Sequence, residues 1–199
     1  MPREQIATQA AVGFRVKSGW AAAVLLAGPS RAPRAIERRI VELSEPDVPE
    51  SKQPYHAAMG KVEENEDKIR QRTKVVERAA ARSVTQLVHD FHAAGYDLCG
   101  AGLVVGSQID PKSISNPHIR AHALEGRLFR SVLEKALQAH GLACSIMVER
   151  DAYSKAAVRF ARPEGELKRV VSDLGRALSG PWRAEEKLAS LAAWMALTG

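Results

Sequence analysis

Two histidines and a glutamate share one face of a predicted helix in the most polar stretch of the chain, residues 107–126 (SQIDPKSISNPHIRAHALEG). His118, His122 and Glu125 are spaced i, i+4 and i+7, so at about 100° per residue they fall within about 60° of one another around the helix. Two imidazoles one turn apart can chelate zinc, and a carboxylate can complete three ligands. The spacing predicts a divalent-metal site here. The alternative is a solvated helix face with a chance histidine pair.

The same side chains could instead perform acid–base catalysis. Either histidine could exchange a proton with a carboxylate such as Asp110 or Glu149. Ser107 follows an apolar run and is a candidate nucleophile, but its surroundings, GLVVGSQ, lack the GxSxG motif of a nucleophile elbow. The residues alone therefore fix no catalytic triplet.

The residues just before this helix favour an anion site. Hydroxyl groups and free backbone N–H groups at a helix N-terminus attract phosphate, and Lys112 and Arg120 would add positive charge. The alternative is local capping, with Ser115 or Asn116 as the N-cap ahead of a proline at the first helical position.

The composition is that of a globular protein with a basic surface. The chain has 199 residues, of which 45 % are hydrophobic and 26 % charged. Its net charge of +6 permits a polyanionic partner such as nucleic acid. Because only 5 % of the residues are aromatic, the stacking platforms of single-strand binders are not expected. Double-stranded or structured nucleic acid is the better candidate.

A row of basic residues along the longest predicted helix and the third predicted strand would neutralise phosphates. The residues of this row are Lys68, Arg70, Arg72, Lys74, Arg78 and Arg82 on the helix, and Arg34, Arg38 and Arg39 on the strand. The alternative is a solvated face on which acidic side chains pair with these cations.

No segment predicts a membrane span or a disulfide framework. The longest apolar run, WAAAVLLA at 20–27, is too short to cross a bilayer, and the N-terminus lacks the apolar run of a signal peptide. A cytoplasmic protein without a membrane partner is therefore expected. Cys99 and Cys144 each lie in an apolar stretch and are predicted to be buried.

The hydrophobic pattern predicts three strands, a helix, a strand, a helix, a strand and two further helices. The strands are predicted at 12–17, 20–27, 34–43, 97–106 and 142–149, and the helices at 61–94, 118–140, 165–178 and 183–197. The first strand alternates apolar and polar residues, which predicts a half-buried strand, whereas the second is apolar throughout and is predicted to be covered on both faces. The first three strands suit an antiparallel meander, and the last two, each preceded by a helix, suit parallel strands.

This order of elements resembles the ribonuclease H-like fold over roughly residues 11–180. The resemblance implies a three-layer α/β structure with a mixed five-stranded sheet in the order 3-2-1-4-5, helices on both faces and C-terminal helices. Residues 1–10 are then predicted to form an N-terminal tail. Residues 181–199 are predicted to form a helix that packs on the domain or associates with a second chain.

The resemblance also implies a type of active site. Ribonuclease H-like nucleases hold divalent metals with carboxylates, one of them an Asp on the first strand. Here that strand reads VGFRVKSG, which contains no acid, and Arg15 and Lys17 occupy its polar face. Because a basic side chain repels a metal ion, the sequence predicts a member of this fold without the usual two-metal chemistry.

In an open α/β sheet, ligands bind at the carboxyl ends of the parallel strands. These ends, together with the start of the second helix, define the candidate ligand-binding residues: Lys17, Ser18, Ser107, Asp110, Ser113, Ser115, Asn116, Arg120, Glu149 and Asp151.

The sequence thus favours a degenerate ribonuclease H-like protein that binds a polyanion, with nucleic acid as the leading candidate. A first alternative is a metal-dependent hydrolase or nuclease that uses His118, His122 and Glu125. A second alternative is a scaffold protein that forms a homodimer through its C-terminal helices.

Overall fold

The computed structural model describes residues 7–57 and 60–198. The strands are β1 (Thr8–Val16), β2 (Trp20–Ala27), β3 (Arg34–Glu42), β4 (Tyr96–Val105) and β5 (Cys144–Val148). The α-helices are α1 (Glu66–Ala93), α2 (Pro117–Gln138), α3 (Ala152–Phe160), α4 (Glu164–Leu174) and α5 (Ala184–Ala196). Every predicted strand and helix is present, and α3 is a helix that the hydrophobic pattern did not predict.

The five strands form one mixed sheet in the order β3-β2-β1-β4-β5, which confirms the predicted order. The pairs β1–β2 and β2–β3 are antiparallel, as short connections require, and β1–β4 and β4–β5 are parallel. At the β1–β2 turn, Gly19 has a φ of +83°, a conformation that glycine adopts without steric cost.

Helices cover both faces of the sheet. On one face α1 and α2 pack against alternate strand residues in a core that includes Phe14, Leu103 and Phe129. On the other face α3, α4 and α5 form a second core around Val104 and Trp194. The protein is therefore a three-layer α/β structure, and β1 lies at its centre.

The prediction that β1 is half-buried is wrong. Its residues from Ala10 to Val16 are all buried, because α5 covers the face that carries Gly13 and Arg15. A Cβ at Gly13 would lie 1.9 Å from the carbonyl oxygen of Ala189, so the missing side chain is what lets the helix backbone approach the strand. The alternation of apolar and polar residues in β1 did not predict that α5 packs on this face of the strand.

Two predicted boundaries also change. Thr8 already belongs to β1, so the predicted tail of residues 1–10 overlaps the sheet, and residues 1–6 lie outside the described part of the chain. Helix α1 begins at Glu66 rather than at Lys61, because Asn65 Oδ1 accepts a hydrogen bond from the Lys68 N–H at 3.0 Å and caps the helix there.

The C-terminal helix is part of the domain core. Trp194 is 1 % exposed, stacks on Phe160 at 4.4 Å, and donates a hydrogen bond from its indole N–H to the carbonyl oxygen of Ser30 at 2.6 Å. The apolar stripe of α5 is therefore used within this chain.

The predicted burial of both cysteines is wrong. Cys99 is exposed and Cys144 is half-buried, and neither forms a disulfide. Burial raises the pKa of the Cys144 thiol to about 11. None of the helices in the described ranges is both long enough and apolar enough to span a bilayer.

The contact between α5 and the sheet predicts a severe effect of Gly102→Ala. A Cβ at Gly102 would lie 2.4 Å from the carbonyl oxygen of Ala192, so the α5 backbone would have to move away from β4. We expect a loss of about 2–3 kcal/mol in the free energy of unfolding, measured by urea denaturation. Gly165→Ala, where a Cβ would meet open space, is the matched control and should change stability by less than about 1 kcal/mol. Equal effects of the two substitutions would contradict the close packing.

Candidate functional site

A cleft of about 830 Å³ lies at the carboxyl ends of β1 and β4. It is lined by the last residues of β1, by the loop at 106–114 and by one face of α2. Because β1 and β4 are parallel neighbours, their ends meet at the same edge of the sheet. The sequence predicted ligand binding at this edge.

The 106–114 loop is held by its own polar side chains. Ser107 Oγ accepts a hydrogen bond from the Ile109 N–H at 3.1 Å, and Asp110 Oδ1 accepts one from the Lys112 N–H at 3.1 Å. Ser113 Oγ donates to the carbonyl oxygen of Asp110 at 2.8 Å. These local bonds give the loop its shape and engage side chains that the sequence suggested for anion binding.

Helix α2 begins as the capping interpretation predicts. Asn116 Oδ1 accepts a hydrogen bond from the Ile119 N–H at 3.1 Å, and Pro117 is the first helical residue. Arg120 Nε donates to the carbonyl oxygen of Ile114 at 2.8 Å, so its guanidinium fastens the preceding loop to the helix.

Five cationic side chains and one carboxylate line the cleft: Arg15, Lys17, Lys112, Arg127, Arg130 and Asp110. Lys17 pairs with Glu185 of α5 at 3.4 Å. Within the described residues, no acidic group lies within 4 Å of the charged nitrogens of Lys112, Arg127 or Arg130. Arg130 Nε is buried without a hydrogen-bond partner. Unpaired cations beside a low-dielectric wall focus the potential, so Lys112, Arg127 and Arg130 contribute a positive potential to the cleft.

A buried arginine stands at the end of the central strand. The Arg15 side chain is 5 % exposed, and its guanidinium forms an ion pair with Glu149, the residue after β5. It also donates a hydrogen bond to the carbonyl oxygen of Val16 at 2.7 Å. This pair joins the ends of β1 and β5 across the end of β4, which lies between them in the sheet.

The cleft contains part of the predicted ligand-binding set. Lys17, Ser18, Ser107 and Asp110 line it. The other predicted residues do not line it: Ser113, Ser115, Asn116, Arg120, Glu149 and Asp151. The first four of these six serve the loop and the start of α2, Glu149 neutralises Arg15, and Asp151 lies 3.4 Å from Arg150.

The sequence analysis did not identify two of the basic residues that line the cleft. Arg127 and Arg130 lie on α2, on the face that also carries Ile119, Ala123 and Gly126. Steps of four, three and four residues connect Ile119 to Arg130, which is the spacing of one helix face. This spacing was a usable signal once α2 was placed at the sheet edge.

A cluster of histidines adjoins the cleft. His56, His118 and His122 each place a ring nitrogen within 4.8 Å of the others, and His122 also lines the cleft. His118 Nε2 and His122 Nε2 are 3.2 Å apart. Glu125, which the sequence predicted as a third ligand, is fully buried and accepts a hydrogen bond from His56 Nδ1 at 2.7 Å. We call His56, His118, His122 and Glu125 the histidine cluster.

His56 is positioned by Arg72 of α1. One Arg72 nitrogen donates to the carbonyl oxygens of Pro54 and His56 at 3.3 and 3.0 Å, and the other pairs with Glu63 at 3.1 Å. Backbone bonds from the Glu63 N–H to the Tyr55 carbonyl, and from the Ala57 N–H to the carbonyl of residue 61, close the segment on itself. The sequence analysis placed Arg72 among residues that contact phosphate, whereas it is a structural residue.

Most residues of the predicted basic row form ion pairs with acidic side chains of the same chain. Arg39 pairs with Asp90 at 2.7 Å, and its hydrogen bond holds the pKa of that carboxyl below its usual value. Four further members of the row pair with acids, namely Arg38 with Glu186, Arg70 with Asp67, Arg72 with Glu63 and Arg82 with Glu45. The other four members of the row, Arg34, Lys68, Lys74 and Arg78, form no ion pair within the described residues.

Comparisons with known proteins agree with this architecture. RuvC of Thermus thermophilus in complex with a Holliday junction substrate superposes with a TM-score of 0.55 and 10 % identity, over 94 % of this chain and 90 % of that chain. A second structure of T. thermophilus RuvC gives 0.55 and 11 %, over 93 % and 91 %. The yeast mitochondrial Holliday junction resolvase Ydc2 gives 0.48 and 11 %, over 98 % and 82 %. No protein-family model and no curated protein matches the sequence.

The chain has a ribonuclease H-like fold. The topology predicted from the sequence is confirmed, and at these identities the likeness concerns the fold. The carboxylate-bound metals that the fold implies do not fit the end of β1, because the guanidinium of Arg15 lies there and Glu149 is engaged by it. In the described residues, the histidine cluster is the group in which three potential ligands converge.

The Arg15–Glu149 pair predicts an asymmetric effect of substitution. Glu149→Ala leaves a buried guanidinium without its counter-charge, so we expect a loss of about 1–2 kcal/mol in unfolding free energy. Adding Arg15→Met should recover part of the loss, because the unpaired charge is then removed. Arg150→Ala, at a side chain that is 83 % exposed, is the control and should change stability by about 0.5 kcal/mol or less. A double variant that loses the full sum of the single effects would contradict the pairing.

Proposed function

We propose that the protein binds double-stranded or structured nucleic acid in the cleft at the ends of β1 and β4, and that it does so without two-metal cleavage. The observation that carries the proposal is the cleft lining, in which Lys112, Arg127 and Arg130 have no acidic partner among the described residues and Asp110 is the one carboxylate. Such a surface contacts the phosphate backbone and releases counterions from it.

The shape and composition of the cleft favour phosphate contacts over base stacking. Among its described lining residues the phenylalanine, Phe129, is fully buried, and neither Trp nor Tyr contributes. Single-strand binders hold bases on exposed aromatic rings, which this surface does not offer. Lys112 and Arg127 are exposed and therefore available to a bulky polyanion.

The structural neighbours support the choice of nucleic acid. The RuvC structure with a TM-score of 0.55 contains a Holliday junction substrate. This likeness makes a four-way DNA junction a suitable probe. Because one fold can host many functions, the proposal itself depends on the residues of the cleft.

The position of Arg15 supports the proposed lack of two-metal cleavage. A divalent ion placed at the end of β1 would meet the buried guanidinium, and Glu149 would have to leave its partner to ligate the ion. The proposed activity is therefore binding without cleavage. Strand cleavage in the presence of Mg²⁺ or Mn²⁺ would contradict the proposed lack of two-metal chemistry.

The decisive experiment is fluorescence anisotropy with labelled four-way junction, duplex DNA and a single strand across a salt series. We expect the junction and the duplex to bind more tightly than the single strand. The combined variant Lys112→Ala/Arg127→Ala removes two cations from the cleft. It should reduce the salt dependence, the slope of log K against log salt, by about 1.8, and weaken binding roughly tenfold or more.

The matched control removes two exposed cations from the opposite face of the sheet. Lys155 lies on α3 and Arg169 on α4, and neither lines the cleft. The variant Lys155→Ala/Arg169→Ala has the same net charge as the cleft variant and should bind like the original protein. Equal weakening in both variants would mean that net charge alone drives binding and would overturn the assignment of the cleft.

A further inference from the structure

We propose that His56, His118 and His122 bind one Zn²⁺ ion through their ring nitrogens, while Glu125 orients the imidazoles as a hydrogen-bond acceptor. This proposal goes beyond the proposed nucleic-acid function, because its ligands are histidines rather than the cleft cations, only His122 is shared with the cleft lining, and it is tested without nucleic acid. The ligand set differs from the one that the helix spacing predicted, since His56 takes the place of Glu125.

The distances between the nitrogens suit one ion. The ligand atoms of all three histidines lie within 4.8 Å of one another, and the Nε2 atoms of His118 and His122 are 3.2 Å apart. Zinc binds imidazole nitrogen at about 2.0–2.1 Å, so two nitrogens of a tetrahedral site are about 3.3 Å apart. His118 and His122 are already at this separation, because they lie one helical turn apart on α2.

The hydrogen bond to Glu125 selects the ligand atom of His56. His56 Nδ1 lies 2.7 Å from Glu125 Oε1, and because a carboxylate accepts, the ring proton is on Nδ1. In the neutral imidazole Nε2 then carries the free lone pair, and this atom is buried without a hydrogen-bond partner. A buried unpaired polar atom is costly, and coordination of an ion would satisfy this one.

Glu125 also lies beside a second imidazole, at a longer distance. Its Oε2 lies 3.4 Å from His122 Nδ1 and has no hydrogen-bond partner. One fully buried carboxylate thus lies beside the Nδ1 atoms of two histidines, and their Nε2 atoms remain for the metal. Carboxylates commonly orient metal-binding histidines from this position.

The chemistry of the donors selects the metal. Three imidazole nitrogens suit zinc, whereas Mg²⁺ and Ca²⁺ require oxygen ligands. The His118 and His122 rings are exposed, so an ion reaches the site without unfolding, and a water molecule completes four-coordination from the solvent side. The negative charge of Glu125, which is buried beside His56, would be compensated by the ion.

Zinc binding to the metal-stripped full-length protein is the first test. Isothermal titration with ZnCl₂, in competition with a chromophoric chelator, should show one ion per chain with a Kd of about 1 µM or tighter. His118→Ala should weaken binding at least about 100-fold, and because this side chain is exposed, circular dichroism should show an unchanged fold. His89→Ala is the matched control, since His89 is 76 % exposed on α1 and is not in the cluster.

The zinc titration distinguishes a site at the histidines from binding elsewhere on the protein. Binding that is lost in His118→Ala and retained in His89→Ala supports the site. Binding that is equal in all three proteins, or a wild-type Kd no tighter than that of His118→Ala, overturns it. Nucleic-acid binding by the same samples is measured separately, so failure of one proposal leaves the other intact.

Glu125→Gln tests the orienting role. The amide keeps the size of the side chain and one acceptor oxygen, and removal of the charge should weaken zinc binding about 10–100-fold. With Co²⁺ as the probe, the variant and the original protein should give the same visible absorption bands, because the ligands are unchanged. A shifted Co²⁺ spectrum in Glu125→Gln would make Glu125 a ligand and overturn the orienting role.

Discussion

The close approach of α5 to two glycines determines how the rest of the structure is arranged. At Gly13 and Gly102 the helix backbone occupies the space of a side chain, so α5 lies directly on the central strands. This alignment places Glu185, in the first turn of α5, beside Lys17 at the end of β1. Hydrogen bonding from its own backbone N–H, followed by the ion pair, holds the pKa of Glu185 below its usual value. The packing of one face of the sheet thus controls how much charge the cleft keeps.

The pair Arg15–Glu149 is the second consequence of a fully buried β1. A guanidinium on a strand covered by α5 has little water around it, and an unpaired charge there would be strongly unfavourable. Glu149 supplies the compensating negative charge from the end of β5, which is two strands away from β1 in the sheet. The same end of the sheet in metal-dependent nucleases of this fold holds carboxylates for an ion. Here the guanidinium of Arg15 and the carboxylate of Glu149 balance each other's charge at this end of the sheet.

The sequence predicted the strands and their antiparallel or parallel pairing because strand periodicity and connection lengths are local properties, and the resemblance of this element order to the ribonuclease H-like fold implied the sheet order. It did not predict the burial of β1, since a small residue at Gly13 reads as a polar-face position until the helix that covers it is known. It also did not predict that His56 meets Glu125, because these residues are 69 positions apart and come together only through the packing of the segment before α1 against α2. Arg72 shows the same limit of sequence reasoning. The sequence does not distinguish an arginine that donates hydrogen bonds to backbone carbonyls, as Arg72 does, from one that contacts phosphate.

Helix α2 connects the two sites that the residues define. One of its faces carries Arg127 and Arg130 into the cleft, and the neighbouring face carries His118 and Glu125 into the histidine cluster. His122 lies on the boundary and belongs to both. Because a helix transmits position rigidly, an ion held between α2 and His56 would fix the orientation of the helix against the sheet. It would also add two positive charges beside a cleft that is already cationic, and within about a Debye length, near 10 Å, that charge strengthens attraction for phosphate.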